Sequence, residues 1–203
     1  MQVAFVPSAP FLLPALGGGP ADLRAACLAA LGRLEGPVTV LGAAVTAGPV
    51  TGTVDATPWG APGPPAPDPL PLALAVGASL LGDREHRLIG VGVDLVPVGT
   101  LPLEGAVLVV ADGSAKRSEK APGAFDPRAE PFDHDVERAL AAGDPQALLA
   151  LDPALAGELW VGGLATWQCA ARALAGRRFD ADLLWAGAPY GVSYVVATWV
   201  QAD

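Results

Sequence analysis

Val107-Leu108-Val109-Val110-Ala111-Asp112-Gly113-Ser114-Ala115-Lys116-Arg117-Ser118-Glu119-Lys120 divides in its middle into two kinds of chain. The first half is apolar and largely β-branched, and it stops at Asp112-Gly113. A short apolar run closed by a turn dipeptide reads as a buried strand. The second half is a polar loop holding Lys116 and Lys120, the only two lysines of the chain, on either side of Arg117. Ligands of open α/β sheets bind outside the carboxyl ends of the strands, where such loops emerge. A chain of net charge -9 has therefore placed all its lysine where this fold class puts a site. Backbone N–H groups after the strand, with Lys116, Arg117, Lys120 and Arg128, can hold a carboxylate or phosphate. Equally, the loop can pair internally with Glu119, Asp126 and Glu130.

Working outward, the elements alternate. Val3–Val6 reads as a strand and the proline-broken segment 7–14 as an extended loop, since proline cannot donate to a sheet ladder. A helix is expected from Pro20-Ala21-Asp22 to Gly36, with Leu23, Cys27, Leu31 and Leu34 on one face, then a strand over Val38–Leu41. Seven prolines between Thr57 and Leu72 predict a long surface loop. Leu70–Leu81 reads as a buried helix and Leu88–Val98 as a strand. Beyond the lysine loop the spacing predicts a helix over Glu130–Ala142 stopped by Gly143. Asp144-Pro145 and Asp152-Pro153 are helix starts. A further helix over Leu164–Leu174 and strands over Asp182–Ala186 and Val192–Val200 finish the chain. The order predicts one α/β domain over 1–203: a sandwich with a mostly parallel central sheet flanked by helices.

Composition narrows the function classes. The 203 residues are 52% hydrophobic and 16% charged, against a usual charged share of about 25%. An exposed apolar surface, and with it a homo-oligomer or partner subunit, is the expectation. The acidic balance speaks against nucleic acid. No apolar run reaches membrane-spanning length, and residues 1–16 lack a basic leader, so a cytoplasmic protein is expected. Cys27 and Cys169 fall in apolar helical stripes and are expected to be buried, inert thiols.

The chemical inventory is short. The chain has two histidines. His86 lies in the charged turn 83–87. His134 starts a helix in Phe132-Asp133-His134-Asp135. With Glu130 at i-4 and Glu137 at i+3 it shares a face that can offer N and O ligands or equally be a charged exposed face, and His134 with Asp133 is the alternative metal site. Ser114 is not in a G-x-S-x-G elbow and has no evident base.

Three blocks carry a resemblance: Val6-Pro7-Ser8-Ala9-Pro10-Phe11-Leu12-Leu13-Pro14, the segment from Ala111-Asp112-Gly113-Ser114-Ala115 to Phe132-Asp133, and Ala188-Pro189-Tyr190-Gly191-Val192-Ser193-Tyr194. Together they resemble the catalytic (B) subunits of class III extradiol ring-cleavage dioxygenases, in the divergent form found in actinobacteria. The resemblance implies their α/β fold and an Fe(II) held by two histidines and a carboxylate, with a further histidine as acid and base. Position by position, the first metal histidine falls on Ser8 and the acid/base histidine on Ala115. No histidine stands between Gly36 and Asp83 to supply the second ligand. Serine is a poor ligand for Fe(II), and alanine offers neither ligand nor proton. The expectation is a retained scaffold without cofactor or ring cleavage. Its former cleft, lined by Ser8, Asp112, Ser114, Lys116, Lys120 and Tyr190, would bind a small anionic molecule or a partner. The competing expectation is an active metal enzyme with relocated ligands at His134, Asp133 or His86, and a third is a structural subunit.

Overall fold

The apolar run at 107–110 is the body of strand β5 (Ala106–Val110), in which every residue is buried. In a computed structural model, which describes residues 1–92 and 103–202, β5 lies at the centre of a seven-stranded sheet. The other strands are β1 (Gln2–Val6), β2 (Val38–Ala44), β3 (Gly48–Val50), β4 (His86–Gly92), β6 (Phe179–Gly187) and β7 (Tyr194–Gln201). Their spatial order is β3-β4-β2-β5-β1-β7-β6. Val107 and Val109 face one side of the sheet, and Ala106, Leu108 and Val110 the other. Burial on both faces is why the run shows no polar alternation.

The sheet is mixed, which corrects the expectation of a mostly parallel one. β4, β2, β5 and β1 form a parallel centre. β3 pairs antiparallel with β4, β7 with β1, and β6 with β7. The connection 188–193 is too short for a parallel crossover, so β6 and β7 can only return as a hairpin. The antiparallel pairings lie towards the edges and leave the parallel centre intact.

Helices cover both faces. Helices α1 (Ala21–Leu31) and α2 (Leu72–Leu81) pack with Ala4, Val6, Val40, Leu108 and Val110. Helices α3 (Ala129–Ala142), α4 (Pro145–Leu149), α5 (Pro153–Glu158) and α6 (Leu164–Leu174) pack on the opposite face with Val3, Phe5, Val107 and Val109. The Asp-Pro starts behave as their chemistry requires. The Asp144 side chain accepts from the Gln146 and Ala147 amides, and that of Asp152 from the Ala154 amide. α1 ends at Leu31, before the expected Gly36, and α2 begins at Leu72. β4 ends at Gly92, and the rest of the strand expected over Leu88–Val98 lies outside the described residues. Among the described residues no helix is long and apolar enough to cross a membrane.

This layering positions a site. β1 leads into α1 on one face, while its parallel neighbour β5 leads into α3 on the other. Between the carboxyl ends of two such strands the chain opens into a crevice, the topological switch point at which open α/β sheets bind ligands.

Candidate functional site

Ser8 follows β1 and Asp112 follows β5, so the switch point brings together two residues that lie 104 positions apart. The Ser8 amide donates to Asp112 Oδ1 at 2.7 Å, and the Ser8 hydroxyl to Oδ2 at 2.6 Å. This fork holds the carboxyl in one orientation at the base of the crevice. Burial pushes the Asp112 carboxyl up to about 6, even though both Ser8 hydrogen bonds favour its charged form. A carboxyl that titrates near neutrality, on the carboxyl edge of the sheet, is a group able to take or give a proton.

Above it lies a cleft of about 490 Å3 lined by Pro10, Phe11, Leu16, Trp59, Asp112, Pro122, Tyr190, Val192 and Tyr194. Small-molecule sites commonly measure about 300–1,000 Å3. The rings are mutually arranged: Phe11 meets Tyr190 edge-on at 5.5 Å and Tyr194 at 5.6 Å between centroids. Burial raises the Tyr194 phenol above its usual range, and the nearby charges of Asp112 and Tyr190 add to this, so Tyr194 stays neutral at ordinary pH. Tyr194 opens β7, which runs antiparallel to β1 and so begins beside the point where β1 ends.

Trp59 comes from the proline-rich segment, which folds as a pinned loop. The Thr53 amide donates to the Asp68 carbonyl at 2.8 Å and the Leu70 amide to the Thr53 carbonyl at 2.9 Å, closing the neck. Inside it, the buried Asp55 accepts from the Thr57 amide and hydroxyl and from the Ala66 amide, and the first of these bonds holds its carboxyl below the usual range. The prolines stiffen the loop and Asp55 staples it, so the Trp59 ring is presented to the cleft from a fixed frame.

A second serine–aspartate fork stands behind the first. The Ser114 amide donates to Asp133 Oδ1 at 2.9 Å, and its hydroxyl to Oδ2 at 2.6 Å. Both residues are fully buried. Arg117 completes the group, with Nη1 3.3 Å from Asp133 Oδ2 and Nη2 2.8 Å from Glu130 Oε1. A Cβ at Gly113 would stand 2.7 Å from both Asp133 Oδ1 and Ser193 Cβ, so glycine is what lets β5 exit this closely against α3 and the start of β7. This fork anchors the loop and does not line the cleft.

Of the residues expected to form a site, Ser8, Asp112 and Tyr190 come together at the crevice. The basic residues do not join them. Lys116 Nζ lies over the Trp160 ring, 5.6 Å from its centroid, and Lys120 is exposed. Arg117 is committed to Asp133 and Glu130, and Arg128 to Asp126 and Glu158. The ion-paired reading of the loop therefore describes its arginines. Phe11, Trp59 and Tyr194 are cleft residues that sequence reasoning did not select. Phe11 and Tyr194 belong to the segments that carry the family resemblance, but nothing local marks a ring as facing a cleft. Cys27 is buried in α1 and its thiol is pushed up to about 12 by that burial; Cys169 is only partly buried, and burial raises its thiol as well.

The Fe(II) implied by the resemblance does not fit these donors. At the crevice stand a serine hydroxyl already donating to Asp112 and an aromatic wall, and neither histidine lines it. His134 is exposed on α3, next to an Asp133 whose two oxygens are taken by Ser114 and Arg117. His86 donates through Nδ1 to the Arg84 carbonyl at 2.6 Å, at the amino end of β4. Among the described residues no group of three or more His, Cys, Asp or Glu side chains is disposed to hold a metal ion. No known family model matches the chain, and no curated protein matches it either.

Proposed function

We propose that this chain is a small-molecule-binding protein whose ligand occupies the β1–β5 crevice, on a scaffold like that of the extradiol dioxygenases but without their iron chemistry. The observation that carries the reading is the Ser8–Asp112 fork at the base of an aromatic cleft, at the switch point of the sheet. An apolar concavity with one oriented polar group is how small ligands are bound: the rings supply contact area and the polar group supplies orientation.

Phenol, as a neutral aromatic probe, is titrated into isotope-labelled protein and followed by nuclear magnetic resonance. Saturable shifts confined to residues 8–11, 112 and 190–194 and to the Trp59 indole are expected. Trp59→Ala and Tyr190→Ala should each weaken that binding, and because both side chains are partly exposed the fold should survive. Shifts scattered over the surface, or binding indifferent to both substitutions, would overturn the assignment.

A further inference from the structure

We infer that the ligand of this cleft is a small organic cation, a quaternary or tertiary ammonium, recognised by the rings of Phe11, Trp59, Tyr190 and Tyr194 together with the Asp112 carboxylate. The inference rests on the cleft being the binding site, and it reverses the sign of charge that the lysine-rich loop suggested.

Charge ranks the ligand classes. Among the described residues, Asp112 is the only charged side chain that lines the cleft. An anion placed there would meet a carboxylate with no cation facing it, inside apolar walls where like charges repel most strongly. Of the nearby cations, Lys116 lies on Trp160, Arg117 on Asp133 and Glu130, and Arg24 on the Phe11 and Leu12 carbonyls, while the exposed Lys120 does not line the cleft. A neutral ligand would satisfy the rings, yet it would strip water from Asp112 and return nothing to it. An ammonium satisfies both parts of the site. Its charge is attracted to the negative faces of the aromatic rings and, through space, to the carboxylate.

The geometry adds a second constraint. Ser8 occupies one acceptor position on each Asp112 oxygen, and a carboxylate has about four such positions. The remaining ones allow a tertiary ammonium to donate its single N–H, while a quaternary one interacts by charge alone. Neither needs the several acceptors that a primary ammonium would have to find in a wall of rings. Phe11 packs edge-on to both tyrosines, so the wall is assembled without a ligand. The surrounding field is also favourable, since the chain carries a net charge of -9.

The test compares choline, its uncharged isostere 3,3-dimethylbutan-1-ol, and benzoate, by calorimetry and by shifts of the cleft resonances. Choline should bind saturably at the cleft, and the alcohol at least about tenfold more weakly, the scale of a desolvated cation–π contact. Asp112→Asn should weaken choline and leave the alcohol unchanged, so the gap narrows by the carboxylate's share while the cation–π share from the rings remains. Trp59→Leu should weaken choline while leaving the carboxylate in place. Should the alcohol bind as tightly as choline, or benzoate more tightly, the cation assignment is wrong. If phenol shifts the cleft resonances and choline does not, the cation inference falls and the cleft assignment stands. If no probe shifts them, both fall.

Discussion

Ser8 and Asp112 are joined by two hydrogen bonds, 2.7 Å from the amide and 2.6 Å from the hydroxyl, across the carboxyl ends of adjacent parallel strands. The pair closes the place where the helices after two neighbouring strands depart to opposite faces. It holds a carboxyl in an environment that opposes its ionisation, because burial outweighs the two donors. That balance makes Asp112 measurable.

The sign of its effect on stability is set by its titration. Burial lifts the folded-state value from 3.8 to about 6, so the folded protein holds this proton more tightly than the unfolded chain does. The stabilisation is complete below the unfolded value and is lost as pH rises through the folded one. Relative to Asp112→Asn, the natural protein should lose about 2 kcal/mol between roughly pH 4.5 and roughly pH 7.5. Urea denaturation of both proteins at the two pH values reads the difference directly. Equal pH dependence would mean that the Asp112 carboxyl is not held in a desolvated state.

Ser8→Ala removes a donor that favours the charged carboxylate. The Asp112 carboxyl should then titrate above its present value of about 6. A carbon-13 titration of the aspartate side chains tracks this, and an unchanged value would place the hydroxyl elsewhere in solution.

The inner fork should matter far more to folding. Asp133 is fully buried and serves the Ser114 amide, the Ser114 hydroxyl and Arg117 at once. Asp133→Ala should cost about 3–5 kcal/mol, since it leaves the buried Ser114 amide and hydroxyl without an acceptor and takes from Arg117 one of its two carboxylate partners. Ser114→Ala, which removes a single bond, should cost about 1–3 kcal/mol. A loss under about 1 kcal/mol for Asp133→Ala, measured by chemical denaturation, would show that the site rearranges to satisfy them.

Gly77 sets two effects against each other. Alanine is favoured over glycine within a helix by about 1 kcal/mol. Here a Cβ would stand 2.6 Å from Val40 Cγ1 and 3.1 Å from Val110 Cγ2, both buried in the sheet beneath α2. Overpacking of this kind costs about 1–3 kcal/mol, so Gly77→Ala should be destabilising overall. A raised melting temperature would mean that α2 lifts off the sheet without penalty.

The two thiols should be silent in the folded protein. Cys27 is buried and held up to about 12, and burial raises Cys169 as well. A thiol-reactive chromophore should modify Cys27 only at the rate of unfolding, and rapid modification under native conditions would contradict its burial.

Much of this architecture is legible along the chain, because its causes are local. The Val107–Val110 run, the Asp-Pro starts at 144 and 152 and the Gly143 stop each act within a few residues, so their elements lie where the spacing predicts. The direction of the edge strands is harder to read. An apolar strand looks the same whether its neighbour runs parallel or not, and only the short 188–193 connection hints at a hairpin.

Residue order alone was enough to say where most strands and helices form, the short edge strand β3 excepted, that the 107–110 run is buried, and that Ser8 and Asp112 stand where strands end. It also concentrated the lysines in one loop, a signal that pointed to an anion, but it did not say where their side chains would lie relative to the cleft. The surroundings of Asp112 emerged only on packing. Phe11, Trp59, Tyr190 and Tyr194 arrive from three distant segments, while Lys116 turns away to Trp160 and Arg117 to Asp133. Propensity and capping act between neighbours in the chain, and so they can be read from it. The charge and shape of a cleft depend on which side chains meet across it, and that depends on how every element packs.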